Sequence, residues 1–267
     1  MVIEDPDRPA MQETETIGVF EPGTFIESQV DWNLLTKVFL YTLGSYLLSI
    51  VATIIIMIPL LGLGLVDLFA TTPEGLFKPW AMLILTFSSL TFLAGPLYYV
   101  KKYGLNSKSI GIRDFSKPLN YALGLIFGAA MLGGNILFSW LITDFFQIPV
   151  QEDITLIAAD IYELVAWIIV MFVIVGFTEE VLFRGFLQRR MEMYFKGRGD
   201  GSNAPLKALL ITSFIFGVIH LDIIGLATRF MLGMFLGYLA QKTNYSVVGP
   251  TIAHGLNNAI VVILLYI

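Results

Sequence analysis

Residues 164–187, with the sequence LVAWIIVMFVIVGFTEEVLFRGFL, decide the fold. Their only ionisable side chains are Glu179, Glu180 and Arg184. A helix that crosses a bilayer needs about 20 mainly apolar residues, so this stretch is long enough to do so. Each ionisable side chain inside such a helix costs about 2.5–3.5 kcal/mol on insertion scales, and it is usually paired or functional. The sequence therefore predicts a membrane helix that carries chemistry.

Six further apolar stretches are typical of membrane spans, at residues 38–66, 79–100, 118–143, 208–221, 223–240 and 243–267. None of them shows the period-2 alternation of a membrane barrel strand. The longest, 38–66, can tilt, or break near Pro59 or near Gly62 and Gly64, which gives seven or eight helices. The predicted fold is an all-α, polytopic transmembrane helix bundle with a polar intramembrane cavity.

The composition excludes several classes of protein. Of 267 residues, 56% are apolar and only 14% are charged, and the mean hydropathy is +0.77. A soluble domain carries about a quarter charged residues. The composition argues against a soluble enzyme, a disordered chain and a nucleic-acid-binding protein, which would carry a basic patch. The chain has no cysteine, which rules out disulfides and thiolate metal sites.

The charges divide the chain and orient it. Residues 1–37 hold eight acids against two bases, which predicts an acidic, poorly ordered tail over 1–36 and a single integral membrane domain over 37–267. The connections 101–117 and 188–207 hold five Lys or Arg each, whereas 144–163 holds none. By the positive-inside rule, both basic connections and the N-terminus are cytoplasmic.

Three polar clusters interrupt the apolar stretches. Glu179 lies ten residues before Arg189, His220 thirteen after Lys207, and His254 twelve after Lys242. At 1.5 Å per helical residue, all three lie roughly 15–20 Å below one membrane face. We therefore expect two carboxylates and both histidines of the chain to meet at one level.

Spacing within the clusters suggests partners. Glu180 and Arg184 are i,i+4 neighbours and are expected to form an ion pair along one helix face. Glu179, about 100° away around the helix, is then the less compensated acid and suits general-base catalysis. His254 and Asn258 are also four residues apart and present an imidazole and a carboxamide together.

Structural alternatives stand beside these functional interpretations. The acid pair and its arginine could lock helices together, a lone histidine is often a packing residue, and Asn258 could join two helices by a hydrogen bond. Phe216, one turn before His220, is expected to pack against the imidazole and orient it. Asp222 and Arg229 are expected to form an ion pair or to mark a helix end.

No cofactor is predicted. Neither histidine belongs to a His-Glu-x-x-His zinc motif, and the chain has no Gly-x-Ser-x-Gly elbow and no Walker loop. One glutamate and two histidines could still hold zinc, so metal dependence stays an alternative that the spacing does not require.

The three clusters, in this order, resemble the CAAX protease and bacteriocin-processing (CPBP or Abi) family of membrane proteins. The family pattern is Glu-Glu-x-x-x-Arg, Phe-x-x-x-His and His-x-x-x-Asn, and the chain matches it at Glu179–Arg184, Phe216–His220 and His254–Asn258. The resemblance covers roughly residues 100–267, and the motifs lie in 164–267. It implies an intramembrane endopeptidase of the glutamate type that uses activated water and forms no covalent intermediate.

The resemblance also implies roles for single residues. Glu179 would be the general base and His220 would help to hold the water. His254 and Asn258 would hold the site or stabilise the oxyanion, while Glu180 and Arg184 would shape the site as a pair. The spacing alone does not separate the roles of the two histidines.

The expected partners are the lipid bilayer and a peptide or protein substrate at the membrane, either lipidated and CAAX-like or leader-bearing, and no nucleic acid. We expect the peptide to enter a cytoplasm-facing cavity, and the protein to lie in a prokaryotic plasma membrane. Two alternatives from other classes are a proton- or ion-coupled carrier and a catalytically idle immunity or scaffold protein.

Overall fold

The computed structural model describes residues 32–71, 73–148 and 156–267, so the predicted acidic tail lies outside it up to residue 31. The described residues form seven long helices and no β-strand, which confirms the all-α fold. The helices are α1 (Trp32–Gly62), α2 (Ala81–Lys102), α3 (Pro118–Phe145), α4 (Ile161–Gly197), α5 (Ala204–Val218), α6 (Leu226–Lys242) and α7 (Val248–Tyr266). Residues 32–36, which the sequence assigns to the tail, already belong to α1.

Six of these helices, all except α6, are long and apolar enough to cross a membrane. Helix α5 reaches 18 residues when the 3₁₀ turn Gly201–Asn203 that precedes it is counted with it, whereas α6 has 17 residues. Helix α1 ends at Gly62, one of the predicted break points, whereas Pro59 lies inside the helix and does not end it. Large apolar side chains along α1 are exposed, as a lipid-facing surface requires. The chain is an integral membrane protein.

Helix α3 packs closely on α7 because two glycines face it. A Cβ added to Gly124 would lie 2.7 Å from the Cβ of Ile252, and one added to Gly128 would lie 2.9 Å from Leu256 Cδ2. Real side chains do not fit at these distances. The two glycines therefore bring the backbones of α3 and α7 together and place α7 between α3 and α4.

Helix α4 approaches the other side of α7, again at glycines. A Cβ on Gly176 would lie 3.2 Å from the carbonyl oxygen of Thr251 on α7, and 2.9 Å from that of Met171 within α4 itself. A Cβ on Gly255 would meet the ring of Phe172 at 2.4 Å. Within α4, π-helical segments over 171–176 and 181–188 flank one α-helical turn, residues 177–180. Such π-segments often occur at functional sites.

Two arginines near the end of α4 are buried. Arg189 Nη1 donates to the carbonyl oxygen of Lys108 at 2.6 Å, and Arg190 Nη1 donates to that of Ser109 at 3.0 Å. The guanidinium carbon of Arg190 lies 4.5 Å from the ring centre of Tyr99, a cation–π contact. These bonds tie the short 3₁₀ turn between α2 and α3 to α4.

Candidate active site

The two glutamates lie in the α-helical turn between the π-segments of α4, and they have different surroundings. Glu180 is fully buried, with Oε2 3.3 Å from Arg184 Nε and Oε1 2.9 Å from His254 Nδ1. The side chain of Glu179 is 13% exposed, and its Oε2 has no hydrogen-bond partner among the described residues. Glu180 is therefore held by two partners, and Glu179 is the carboxylate left available.

The His254 ring stands between the two carboxylates. A carboxylate only accepts hydrogen bonds, so the 2.9 Å contact with Glu180 places a proton on Nδ1 of His254. The other ring nitrogen, Nε2, faces Glu179 Oε2 at 4.0 Å. This distance is too long for a direct hydrogen bond. Glu180 thus sets the orientation and the tautomer of the ring that faces Glu179.

His220 lies two residues beyond the end of α5 and has a different partner. Its Nδ1 is 2.7 Å from the carbonyl oxygen of Phe216, which can only accept, so Nδ1 donates. In the neutral ring, Nε2 then carries a free lone pair. The Phe216 ring centre lies 5.0 Å from that of His220 and 6.0 Å from that of His254. The guanidinium carbon of Arg184 lies 4.6 Å from the same phenyl ring, so Phe216 touches three members of the site.

Asn258 belongs to a chain of three amides. Asn135 Nδ2 on α3 donates to Asn257 Oδ1 at 2.7 Å, and Asn257 Nδ2 donates to Asn258 Oδ1 at 3.2 Å. Neither Asn135 nor Asn257 was predicted from the sequence as a site residue. The available signals were an amide inside the charge-free stretch 118–143 and a second asparagine beside Asn258.

The predicted site residues meet at a cavity of about 250 Å³. Its polar lining consists of Glu179, His220, His254, Asn258 and Arg229. Glu180 and Arg184 lie behind it and touch it through His254 and Phe216. The arrangement presents a carboxylate, an imidazole lone pair and a carboxamide to a single, partly open cavity.

A larger cavity of about 710 Å³ adjoins this site and shares Arg229 and Asn258 with it. It lies where α3 and α7 end, and its lining includes Ser139, Asp222 and Leu264. That end is opposite the two basic connections. On the orientation that the charges predict, the larger cavity therefore lies away from the cytoplasm, whereas the sequence predicted a cytoplasm-facing cavity.

Arg229 and Asp222 close the connection between α5 and α6 as an ion pair. The backbone N–H of Gly225 donates to Asp222 Oδ1 at 3.0 Å. This hydrogen bond, together with Arg229, lowers the pKa of Asp222 below its usual value. Among the described residues, Arg229 is the only arginine that lines the two cavities, and the ion pair holds it where they meet.

The described residues contain no group of three His, Asp or Glu side chains arranged to hold a metal ion. The two histidines engage their Nδ1 atoms with different partners, a carbonyl oxygen for His220 and a carboxylate for His254.

Residues 161–260 match a family model described as type II CAAX prenyl endopeptidase Rce1-like. The match begins at the first residue of α4 and ends within α7, so it includes all three polar clusters. The chain matches no curated protein and no solved structure.

Proposed function

Because residues 161–260 of this chain belong to the type II CAAX prenyl endopeptidase Rce1-like family of membrane proteases, we propose that the protein hydrolyses a peptide bond with water activated by Glu179. The observation that carries the proposal is that the two glutamates have different contacts. Glu180 is contacted by Arg184 at 3.3 Å and by His254 at 2.9 Å, while Glu179 lines the cavity and its Oε2 lies 4.0 Å from His254 Nε2.

The first step is the attack of water on the scissile carbonyl. Water donates one hydrogen bond to Glu179 and one to Nε2 of His220, which directs its oxygen lone pair at the carbonyl carbon. The new C–O bond forms as Glu179 takes the proton from water, and the carbonyl electron pair moves to the oxygen. A preorganised donor at this oxyanion is worth about 2.7–4 kcal/mol, and the Nδ2 group of Asn258 supplies it.

The second step returns the proton. Glu179 donates it to the amide nitrogen, the C–N bond breaks, and the carbonyl re-forms as a carboxylic acid product. Glu179 is again a carboxylate and no covalent enzyme intermediate arises. His254, Glu180 and Arg184 keep Glu179 in place throughout, which separates the role of His254 from that of His220.

The substrate is a peptide in or at the bilayer. We propose further that it is either lipidated and CAAX-like or leader-bearing. We also propose that one membrane domain over residues 37–267 carries out the reaction in a prokaryotic plasma membrane, with the N-terminus in the cytoplasm. The family match supports a lipidated substrate, because its description names a CAAX prenyl endopeptidase.

The test compares two glutamates of α4 in the purified, detergent-solubilised protein. Glu179→Gln removes the base, and Glu192→Gln alters a buried acid that bonds Tyr245 and Lys196 outside the cavities. The substrates are a farnesylated CAAX peptide, the same peptide without farnesyl, and a leader-bearing peptide. We expect Glu179→Gln to lower kcat about 100- to 10,000-fold, and Glu192→Gln to keep it.

Equal cleavage by the wild type and Glu179→Gln would refute the mechanism. Peptide-independent proton flux in liposomes, abolished by the same substitution, would replace the protease with a carrier.

A further inference from the structure

The chain of three amides has a direction. Asn257, which is 2% exposed, uses its oxygen to accept from Asn135 and its Nδ2 to donate to Asn258. Because a carboxamide has one acceptor oxygen and one donor NH₂ group, this arrangement engages the Asn258 oxygen. The group that Asn258 has left for the cavity is its NH₂.

We propose that Asn135 and Asn257 are positioning residues that hold the Asn258 carboxamide with its Nδ2 directed into the cavity. The inference rests on the proposed function, in which Asn258 donates to the oxyanion. With its oxygen in the cavity instead, Asn258 would place a lone pair against the developing negative charge. The orientation of this one amide therefore decides whether it helps or opposes the reaction.

Helix packing makes the chain of three amides, Asn135, Asn257 and Asn258, a rigid relay. Gly124, Gly128 and Asn135 recur at intervals of four and seven residues, so they lie on one face of α3. The two glycines press this face against α7 at Ile252 and Leu256. Asn135 is thus held within hydrogen-bond distance of Asn257 by contacts that do not involve the cavity.

The competing explanation is that the asparagines only hold α3 and α7 together. That role does not depend on which amide donates the hydrogen bond and which accepts it. An asparagine that only joins helices can be replaced by any group of similar size that keeps a hydrogen bond. A positioning relay fails when its direction reverses. An aspartate in place of an asparagine makes this distinction, because an ionised carboxylate accepts hydrogen bonds and donates none.

Asn257→Asp is the decisive variant. The carboxylate still accepts from Asn135 Nδ2, but it now also accepts from Asn258 Nδ2 and draws that group out of the cavity. Losing one oxyanion donor lowers kcat about 100- to 1,000-fold, and we expect this loss with little change in KM. In an Asn258→Ala background, Asn257→Asp should lower kcat no further, because no amide is left to orient.

Two further variants separate position from stability. Asn135→Asp reverses the hydrogen bonds from the first member of the relay, because the carboxylate can only accept from Asn257. It should lower kcat in the same way as Asn257→Asp. Asn120→Asp is the matched control, since Asn120 is a buried amide of α3 that bonds Ser246 and the backbone of Asp114. We expect Asn120→Asp to keep kcat per folded molecule, with folding checked by gel filtration and thermal melting.

The outcomes are distinct. The relay is wrong if Asn258→Ala lowers kcat while folded Asn257→Asp cleaves like the wild type, or if Asn257→Asp adds its full loss in the Asn258→Ala background. In both cases the proposed protease stands. If the wild type and Glu179→Gln show the same activity, the proposed function is wrong and the relay falls with it.

Discussion

Gly176→Ala tests whether the close approach of α4 and α7 places the acids. The added Cβ would lie 2.9 Å from the carbonyl oxygen of Met171 and 3.2 Å from that of Thr251, whereas ordinary contacts begin at 3.4 Å. Both neighbours are backbone atoms that cannot rotate away. To reach 3.4 Å, the backbone of α4 must therefore shift by about 0.5 Å relative to its own Met171 carbonyl and by about 0.2 Å away from Thr251 on α7, since packed interiors transmit such strain.

The displacement acts on the distance between Glu179 and His254, which is already 4.0 Å. A misplacement of 1 Å costs about 100-fold in rate, so half of it should lower kcat about 10-fold. Overpacking should also destabilise the protein by about 1–3 kcal/mol, partly offset by the gain of about 0.5–1 kcal/mol for Ala over Gly in a helix.

The assay is peptide cleavage per folded molecule, with thermal melting alongside. Gly133→Ala is the matched control, because a Cβ there meets nothing within 4 Å and the position lies inside α3. We expect Gly133→Ala to keep kcat and to melt at or above the wild-type temperature. A folded Gly176→Ala with wild-type kcat, or an equal loss in Gly133→Ala, would refute the reasoning.

Three further predictions concern stability and chemistry. Glu180→Gln leaves Arg184 as a buried charge without its partner, which should cost about 3–5 kcal/mol in chemical denaturation. Glu179→Gln, at a partly exposed side chain, should melt within a few degrees of the wild type. Equal losses of stability in Glu179→Gln and Glu180→Gln would contradict the conclusion that Glu180 alone has a buried charged partner. Phe216→Leu removes ring contacts with His220 and Arg184, which are worth about 0.5–1.5 kcal/mol each; unchanged stability would show that these contacts contribute nothing. Chelation with EDTA or 1,10-phenanthroline should leave cleavage unchanged, and loss of activity that zinc restores would establish a metal enzyme.

Hydropathy and a constant helical rise predicted much of the fold. The stretch 118–143 became α3 at Pro118–Phe145, and 243–267 became α7 at Val248–Tyr266. The same arithmetic predicted that Glu179 and His254 lie at one depth. Depth along a helix follows from residue number alone, because each residue advances the chain by the same distance.

The rotation of each helix about its axis, and the helices it packs against, could not be predicted from the sequence. Which carboxylate meets His254 depends on how α4 is turned about its axis, and the π-segments that flank residues 177–180 set that turn. Hydropathy does not record them. Asn135 was missed for a related reason: the sequence shows that 118–143 spans the membrane, but not that glycines press it against α7.

The burial of Arg189 and Arg190 bears on how the protein reaches its orientation. These residues supply two of the five positive charges in the connection 188–207, and in the folded protein their guanidinium groups bond the backbone of a neighbouring turn. On the orientation that the positive-inside rule predicts, their charge acts during insertion, before tertiary structure buries it. On that orientation, replacing either arginine is expected to affect insertion and, separately, the hydrogen bonds that join α4 to the turn before α3.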